Sequence, residues 1–358
     1  MLIWLFSIGV GLALSVCCTP LVRRLAIQCD IFAPLNSRTI HDNLTPKMGG
    51  VAIYIGFSGA LLVYASLNSM KEFFPALLFG GAVSTLVGAL DDIYDINCYL
   101  KLLGQSIAAI IAVQFGFTLD VIALPFEVTV QLGNWSSLFS VFWIVLIMNA
   151  VNLIDGLDGL AAGFSIITSF FVLIVSLMFG NTTIAFIASA LAFASLGFLK
   201  DNFFPAKIFM GDTGSLFIGF VLACITMKSL SFSGQGTNWL VVLTVFALPL
   251  TDTLLAITRR LSERKHPFSA DKKHIHHLLL ANGLSHRSAV LVIYSIALLL
   301  CLAGLAFLFL QAQYGILVMS FVFFLFLSFL VLVGCLDFVA KKSKLKKLQP
   351  VSIQKSSK

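Results

Sequence analysis

The chain reads as a succession of long apolar runs separated by short polar segments. Leu138 to Ile154, Leu160 to Phe179 and Ala289 to Leu310 are nearly continuous, approach the ~20 residues of a membrane-spanning helix, and lack the two-residue alternation of a barrel strand. In lipid every backbone N–H and C=O needs a partner inside the protein, so such runs predict helices. Hydropathy proposes eleven spans, beginning near Leu2, Met48, Phe73, Leu102, Leu138, Leu160, Ile184, Leu216, Trp239, Ala289 and Tyr314. No basic residue precedes the first run, and Arg23 and Arg24 follow it, so Leu2 to Leu21 is expected to be a retained span, not a cleaved signal. Among the outside connections only Asp120 to Ser137 is long, and its mixed apolar and polar residues predict a small hairpin.

Composition agrees: 59% of the 358 residues are hydrophobic and 11% charged, against about a quarter charged in soluble globular chains. An ordinary soluble domain is excluded. The seven cysteines are scattered and never spaced as CxxC, so neither a disulfide framework nor a zinc site is indicated.

Charge orients the spans. With the N-terminus outside, the inside segments hold 21 of the 23 Lys and Arg residues, Lys71 and Lys228 being the exceptions. That bias favours an odd number of spans and an inside C-terminus. The cluster Lys341, Lys342, Lys344, Lys346 and Lys347 follows the last span and would sit against anionic headgroups. No internal repeat is visible, so residues 1–340 are read as one integral-membrane domain and 341–358 as a basic tail.

Thirteen of the sixteen carboxylates fall on that same inside face, where carboxylates at membrane depth usually mark function. ALDDIYD carries Asp91, Asp92 and Asp95; on a helix Asp91 and Asp95 share a face and repel unless a cation or proton lies between them. NAVNLIDGLDG spaces Asn149, Asn152 and Asp155 by three, which predicts polar groups along one helical face, with Gly156 and Gly159 letting the backbone turn. In KDNFFPAKIFMGDTGS, Asp212 lies between Gly211 and Gly214 just before a span, an arrangement suited to a divalent ion shared with phosphate oxygens or to helix N-capping. Phe209 suits stacking or packing equally on spacing alone. His274, His276 and His277 stand among Arg259, Arg260, Lys272 and Lys273, which reads better as an anion site than as zinc ligation. Acidic clusters accept a phosphorylated ligand only when divalent metal and Lys or Arg neutralise them, and magnesium is the expected metal.

The ordered set RTIHDNLTPKMGG, DDIYDINCYLK, NAVNLIDGLDG, NFFPAKIFMGDTGS and HPFSADKKHIHH closely resembles the polyprenyl-phosphate N-acetylhexosamine-1-phosphate transferases. That family includes bacterial undecaprenyl-phosphate GlcNAc-1-phosphate transferase, phospho-MurNAc-pentapeptide translocase and the eukaryotic dolichyl-phosphate enzyme. The resemblance implies an all-α polytopic enzyme of the bacterial cytoplasmic (inner) membrane, N-terminus periplasmic, C-terminus cytoplasmic, with its site on cytoplasmic loops. It implies that UDP-GlcNAc and undecaprenyl phosphate give undecaprenyl-diphosphate-GlcNAc and UMP, with Mg2+ or Mn2+, as the first membrane step of a cell-envelope glycan. Asp212 resembles the metal ligand, with Asn152 as a second partner. Asp91 and Asp92 resemble the pair that positions or deprotonates the lipid phosphate, and Lys101 a phosphate-binding lysine. Asn149, Asn202, Asp155 and Gly211 belong to the implied nucleotide site, where Asp158 and Phe209 match the uracil contacts. Arg260, His274, His276 and His277 match the loop that reads sugar and diphosphate. HIHH favours GlcNAc over UDP-MurNAc-pentapeptide, whose enzymes carry a three-histidine motif. Membrane lipids surround the reaction, no nucleic-acid partner is assigned, and a homodimer is compatible with the reading.

A transporter is the competing class. It would place charge near the bilayer midplane, whereas here charge gathers at one face, the chief exception being Asp252, about two turns before Arg259.

Overall fold

A computed structural model of the chain describes residues 1–33, 44–68, 72–124, 128–230, 237–266, 273–310 and 312–347, without side chains for 335–347. The first part of the RTIHDNL motif, most of FSADKK and the end of the tail lie outside these. The described residues form thirteen α-helices: α1 (Leu2–Gln28), α2 (Gly50–Leu67), α3 (Phe74–Tyr94), α4 (Cys98–Gln114), α5 (Ser136–Ile154), α6 (Leu160–Met178), α7 (Thr182–Asn202), α8 (Gly211–Ser229), α9 (Trp239–Val245), α10 (Ala247–Ser262), α11 (Ile275–Ala281), α12 (His286–Phe309) and α13 (Ala312–Lys347).

Nine of them are long and apolar enough to cross a bilayer. α4 is apolar but only 17 residues long. The span expected from Trp239 is broken: α9 and α10 meet at an angle of 73°. Pro249 explains the break, because its ring clashes with the carbonyl four residues earlier, at Val245, where α9 ends. Side-chain caps fix other helix starts. Asn97 Oδ1 accepts the Leu100 amide at 2.9 Å, Asn181 Oδ1 the Ile184 amide at 3.0 Å, and Ser285 Oγ the Ser288 amide at 3.2 Å.

α8 is the most buried of the nine spans and packs against α2, α3, α5, α6 and α7. Close approach is bought with small residues: a Cβ on Gly50 would lie 2.1 Å from Gly214 Cα, and one on Gly219 2.7 Å from Met148 Cα. α13 lies at the periphery, with few buried residues, and runs unbroken through Lys347, so no helix boundary separates the basic tail at residue 340. The expected hairpin is present as β1 (Val121–Ala123) and β2 (Thr129–Gln131), antiparallel with Ile122 opposite Val130, and β3 (Thr237–Asn238) adds in parallel beside β1.

Candidate active site

The site is built where α8 begins. Gly211 has φ +70°, a conformation that favours glycine, and a Cβ there would also lie 2.3 Å from Asp92 Oδ2. The first amides of α8 have no intrahelical acceptor. Asp92 of α3 supplies one: its carboxylate accepts from Asp212 N–H at 3.2 Å, Thr213 N–H at 3.0 Å and Thr213 Oγ1 at 2.7 Å, with Lys47 Nζ 3.8 Å away. Gly88 lets α3 approach, since a Cβ there would be 2.3 Å from the Asp212 carbonyl oxygen. The segment before α2 closes the other side: Phe209 N–H donates to the Pro46 carbonyl at 2.9 Å, and the Gly49 and Gly50 amides to the Phe209 and Met210 carbonyls at 2.9 and 3.0 Å.

Asp212 is the hub. Its Oδ2 accepts from Lys101 Nζ and, at 3.0 Å, from Asn152 Nδ2. Lys101 also donates to Asp91 Oδ2 at 3.0 Å, so one ammonium is shared by two carboxylates. Asn152 Oδ1 accepts from Ser215 Oγ at 3.3 Å, so both ends of that amide are engaged and Asn152 orients Asp212.

Asp91 and Asp92, expected to act as a pair, are thus split between two tasks. Adjacent helical residues point about 100° apart. Asp95 leaves the helix at φ +50° and is exposed, so the expected Asp91–Asp95 face does not form.

The turn after α5 brings in Asp155 and Asp158. Asn202 pins it, accepting the Gly159 amide at 3.0 Å and donating to the Ile208 carbonyl at 3.0 Å. Asp158 is buried; its Oδ2 accepts the Ala206 amide at 2.9 Å, and its own amide donates to His286 Nε2 at 3.0 Å. Burial first, then the charges of Asp212, Asp92 and Asp158, raise the Asp155 carboxyl well above the ordinary range.

These groups line a polar cavity of about 240 Å³ that includes Asp92, Asp155, Asp158, Asn202, Phe209, Gly211 and Asp212, with Lys47 as a basic lining residue. A second cavity, about 370 Å³ and mostly apolar, opens between α4, α5 and α10 beside Leu102, Phe142, Leu146 and Ile257. Lys101 and Asn152 line this groove and touch Asp212 on the wall of the polar cavity, so the two spaces meet there.

Asn149 and Arg260 line the groove and not the polar cavity. Steps of three residues rotate a helix by 300°, so Asn149 stands about 120° from the Asp155 direction. Its amide pairs with the buried Gln105, Nδ2 to Oε1 at 2.6 Å. His274 and His276 are buried and also do not line the polar cavity; His277 is half-buried. Burial and the neighbouring His277, His274 and His286 push His276 down to about 3, so its imidazole is neutral near pH 7.

The sequence reading gave no role to Lys47, Gln105, Ser215 or His286. Gln105 had a signal: a polar residue one turn after Lys101 in an apolar run. His286 had none, because only the fold brings it to Asp158.

The fold and site define a multi-pass membrane protein whose helix ends enclose a carboxylate-rich cavity joined to a mostly apolar groove. Residues 74–230 match the sequence model of glycosyl transferase family 4. The chain is 39% identical over 289 residues, 80% of each chain, to the probable undecaprenyl-phosphate N-acetylglucosaminyl 1-phosphate transferase of Bacillus subtilis. It is 38% identical over 301 residues, 76% of this chain and 74% of the relative, to the decaprenyl-phosphate N-acetylglucosaminephosphotransferase of Mycobacterium tuberculosis H37Rv. With the undecaprenyl-phosphate alpha-N-acetylglucosaminyl 1-phosphate transferase of Escherichia coli K12 it shares 29% over 290 residues, 79% of this chain and 78% of the relative. The chain belongs to glycosyl transferase family 4.

Proposed function

We propose that the protein transfers GlcNAc 1-phosphate from UDP-GlcNAc to undecaprenyl phosphate, releasing UMP, as the first membrane step of a cell-envelope glycan. The observation that carries this reading is the junction at Asp212, where the polar cavity meets the apolar groove through Lys101 and Asn152. A water-soluble nucleotide sugar suits the first space and a polyprenyl chain the second. Their phosphates then meet at Lys101. An oxygen of the lipid phosphate attacks the sugar-bearing phosphorus of the donor; the bond to the bridging oxygen breaks, and that oxygen leaves with UMP.

Lys101 presents its charge to the lipid phosphate and is held by Asp91. Asn202 and Asp158 fix the turn beneath the nucleotide, and Phe209 offers a ring to the uracil. Mg2+ or Mn2+ fits the donor set, because Asp92, Asp155, Asp158 and Asp212 line one cavity and their oxygens are hard. Asp212 and Asp155 would hold it. When bound, the metal neutralises the donor diphosphate.

The finer topology belongs to the same proposal: eleven spans, counting α4 and the bent α9–α10 pair, with the N-terminus periplasmic and the site facing the cytoplasm. Residues 1–340 act as one domain in the bacterial inner membrane, and the basic tail lies against its lipids.

The decisive assay supplies purified protein with UDP-GlcNAc, undecaprenyl phosphate and Mg2+. Release of UMP together with a butanol-soluble labelled lipid is expected, and EDTA abolishes both. UDP-MurNAc-pentapeptide as an equally good donor would overturn the GlcNAc reading. The groove has its own test: Leu146→Trp fills it and should raise the acceptor KM about tenfold while the donor KM moves little, since filling a shaped apolar site removes acceptor binding alone. A donor KM that rises as much as the acceptor KM would remove the lipid from this groove.

A further inference from the structure

α10 is used on two sides. Thr253, Ile257 and Arg260 line the apolar groove, while Asp252 lies away from it beside Ile154, Leu248 and Ile293, only 1% exposed. A buried carboxylate persists when its oxygens are satisfied. Both of these are. Oδ2 lies 2.8 Å from His274 Nδ1, and Oδ1 accepts the Ile275 amide at 2.9 Å. A carboxylate only accepts, so His274 carries its proton on Nδ1. Asp252 therefore fixes both the ring of His274 and the first turn of α11.

That turn delivers His276. Its ring lies parallel to His274, with centroids 5.7 Å apart and 5° between planes. It also rests directly on Gly156: a Cβ there would sit 2.1 Å from His276 Nε2. Gly156 is flanked by Asp155 and followed by Asp158, the carboxylates that this turn presents to the polar cavity. None of Asp252, His274 and His276 lines that cavity.

We infer that Asp252 is a positioning residue for the transfer reaction, acting through His274 and α11 to seat His276 under the Gly156 turn and so to set Asp155 and Asp158. The inference rests on the transfer reading above. It also gives α10 a mechanical part, since one helix lines the acceptor groove and anchors the support of the donor turn.

The test uses full-length protein in detergent micelles: wild type, Asp252→Ala, Asp252→Asn, His274→Ala and the double variant Asp252→Asn with His274→Ala. Asp252→Ala should lower kcat about 10- to 100-fold, the effect of a small displacement of reacting groups, while the KM for UDP-GlcNAc changes by less than about threefold. Asp252→Asn keeps an oxygen for the Ile275 amide, loses the acceptor for His274, and should fall between wild type and Ala in both kcat and thermal midpoint. The double variant should lose no more than His274→Ala, because the two residues act as a unit. If Asp252→Ala does not fold, Asp252→Asn carries the test alone. Wild-type kcat in folded Asp252→Asn, or additive losses in the double variant, would overturn the positioning role while normal wild-type turnover keeps the transfer reading. Wild-type protein that makes no lipid product overturns the transfer reading and the positioning role with it.

Discussion

Replacing Asp212 by asparagine should lower turnover about 10²- to 10³-fold, the range seen when one preorganised charge-stabilising group is removed, and leave the protein folded. The side chain keeps its shape, and its backbone amide still donates to Asp92. What disappears is the negative charge at the junction of the two cavities, where Lys101 and Asn152 both donate to it. Lys101 would then pair with Asp91 alone, and a divalent ion would lose a ligand. The measurement is kcat at saturating donor and acceptor together with the thermal midpoint in detergent. Turnover within threefold of wild type would remove Asp212 from the reaction.

The second large effect is on stability. Asp92→Ala takes away the acceptor of two amides and one hydroxyl at the start of the most buried span, and leaves Lys47 without its nearest carboxylate. The Asp92 side chain is 2% exposed but borders the polar cavity, so water entering from there replaces the lost acceptor only in part. The donors left unsatisfied at the helix start cost about 1 to 3 kcal/mol, and the partly exposed Lys47 adds little. The midpoint in detergent should drop by several degrees and the yield of folded protein should fall. Asp91→Asn, by contrast, should keep the fold and lose turnover, because Asp91 holds Lys101 and caps nothing. Equal thermal midpoints for Asp92→Ala and Asp91→Asn would contradict this division.

Much of the fold was legible because lipid imposes one simple rule on the backbone. Each of the eleven apolar runs begins on or beside a helix, and the Asp120 to Ser137 connection contains the hairpin read from its mixed pattern. Hydropathy averages over a window and so passed across the 73° break before α10; the stereochemistry of Pro249 was in the sequence, but its effect depends on what can satisfy the freed backbone groups. In the site, the family resemblance implied roles for Asp155, Asp158, Asn202, Phe209 and Asp212, and the fold brings these residues from three separate segments to one cavity. It did not assign tasks. Whether Asp92 meets substrate or caps a helix depends on α8 beginning beside it, and Asp252 stood out only as a misplaced charge because His274, 22 residues away, is reached through the fold.

On the proposed reading, in which the acceptor's polyprenyl chain occupies the apolar groove between α4, α5 and α10, the dimensionality of its encounter with the enzyme changes. A lipid that enters from within the bilayer is found by two-dimensional diffusion, so its driving concentration is a mole fraction in the membrane and not an amount per litre. Diluting the lipid phosphate with inert phospholipid at fixed total quantity should slow transfer, whereas diluting the whole suspension of vesicles at saturating donor should leave the rate per enzyme unchanged. On that reading the step is throttled by how many acceptors accumulate in the membrane, without any change in the protein.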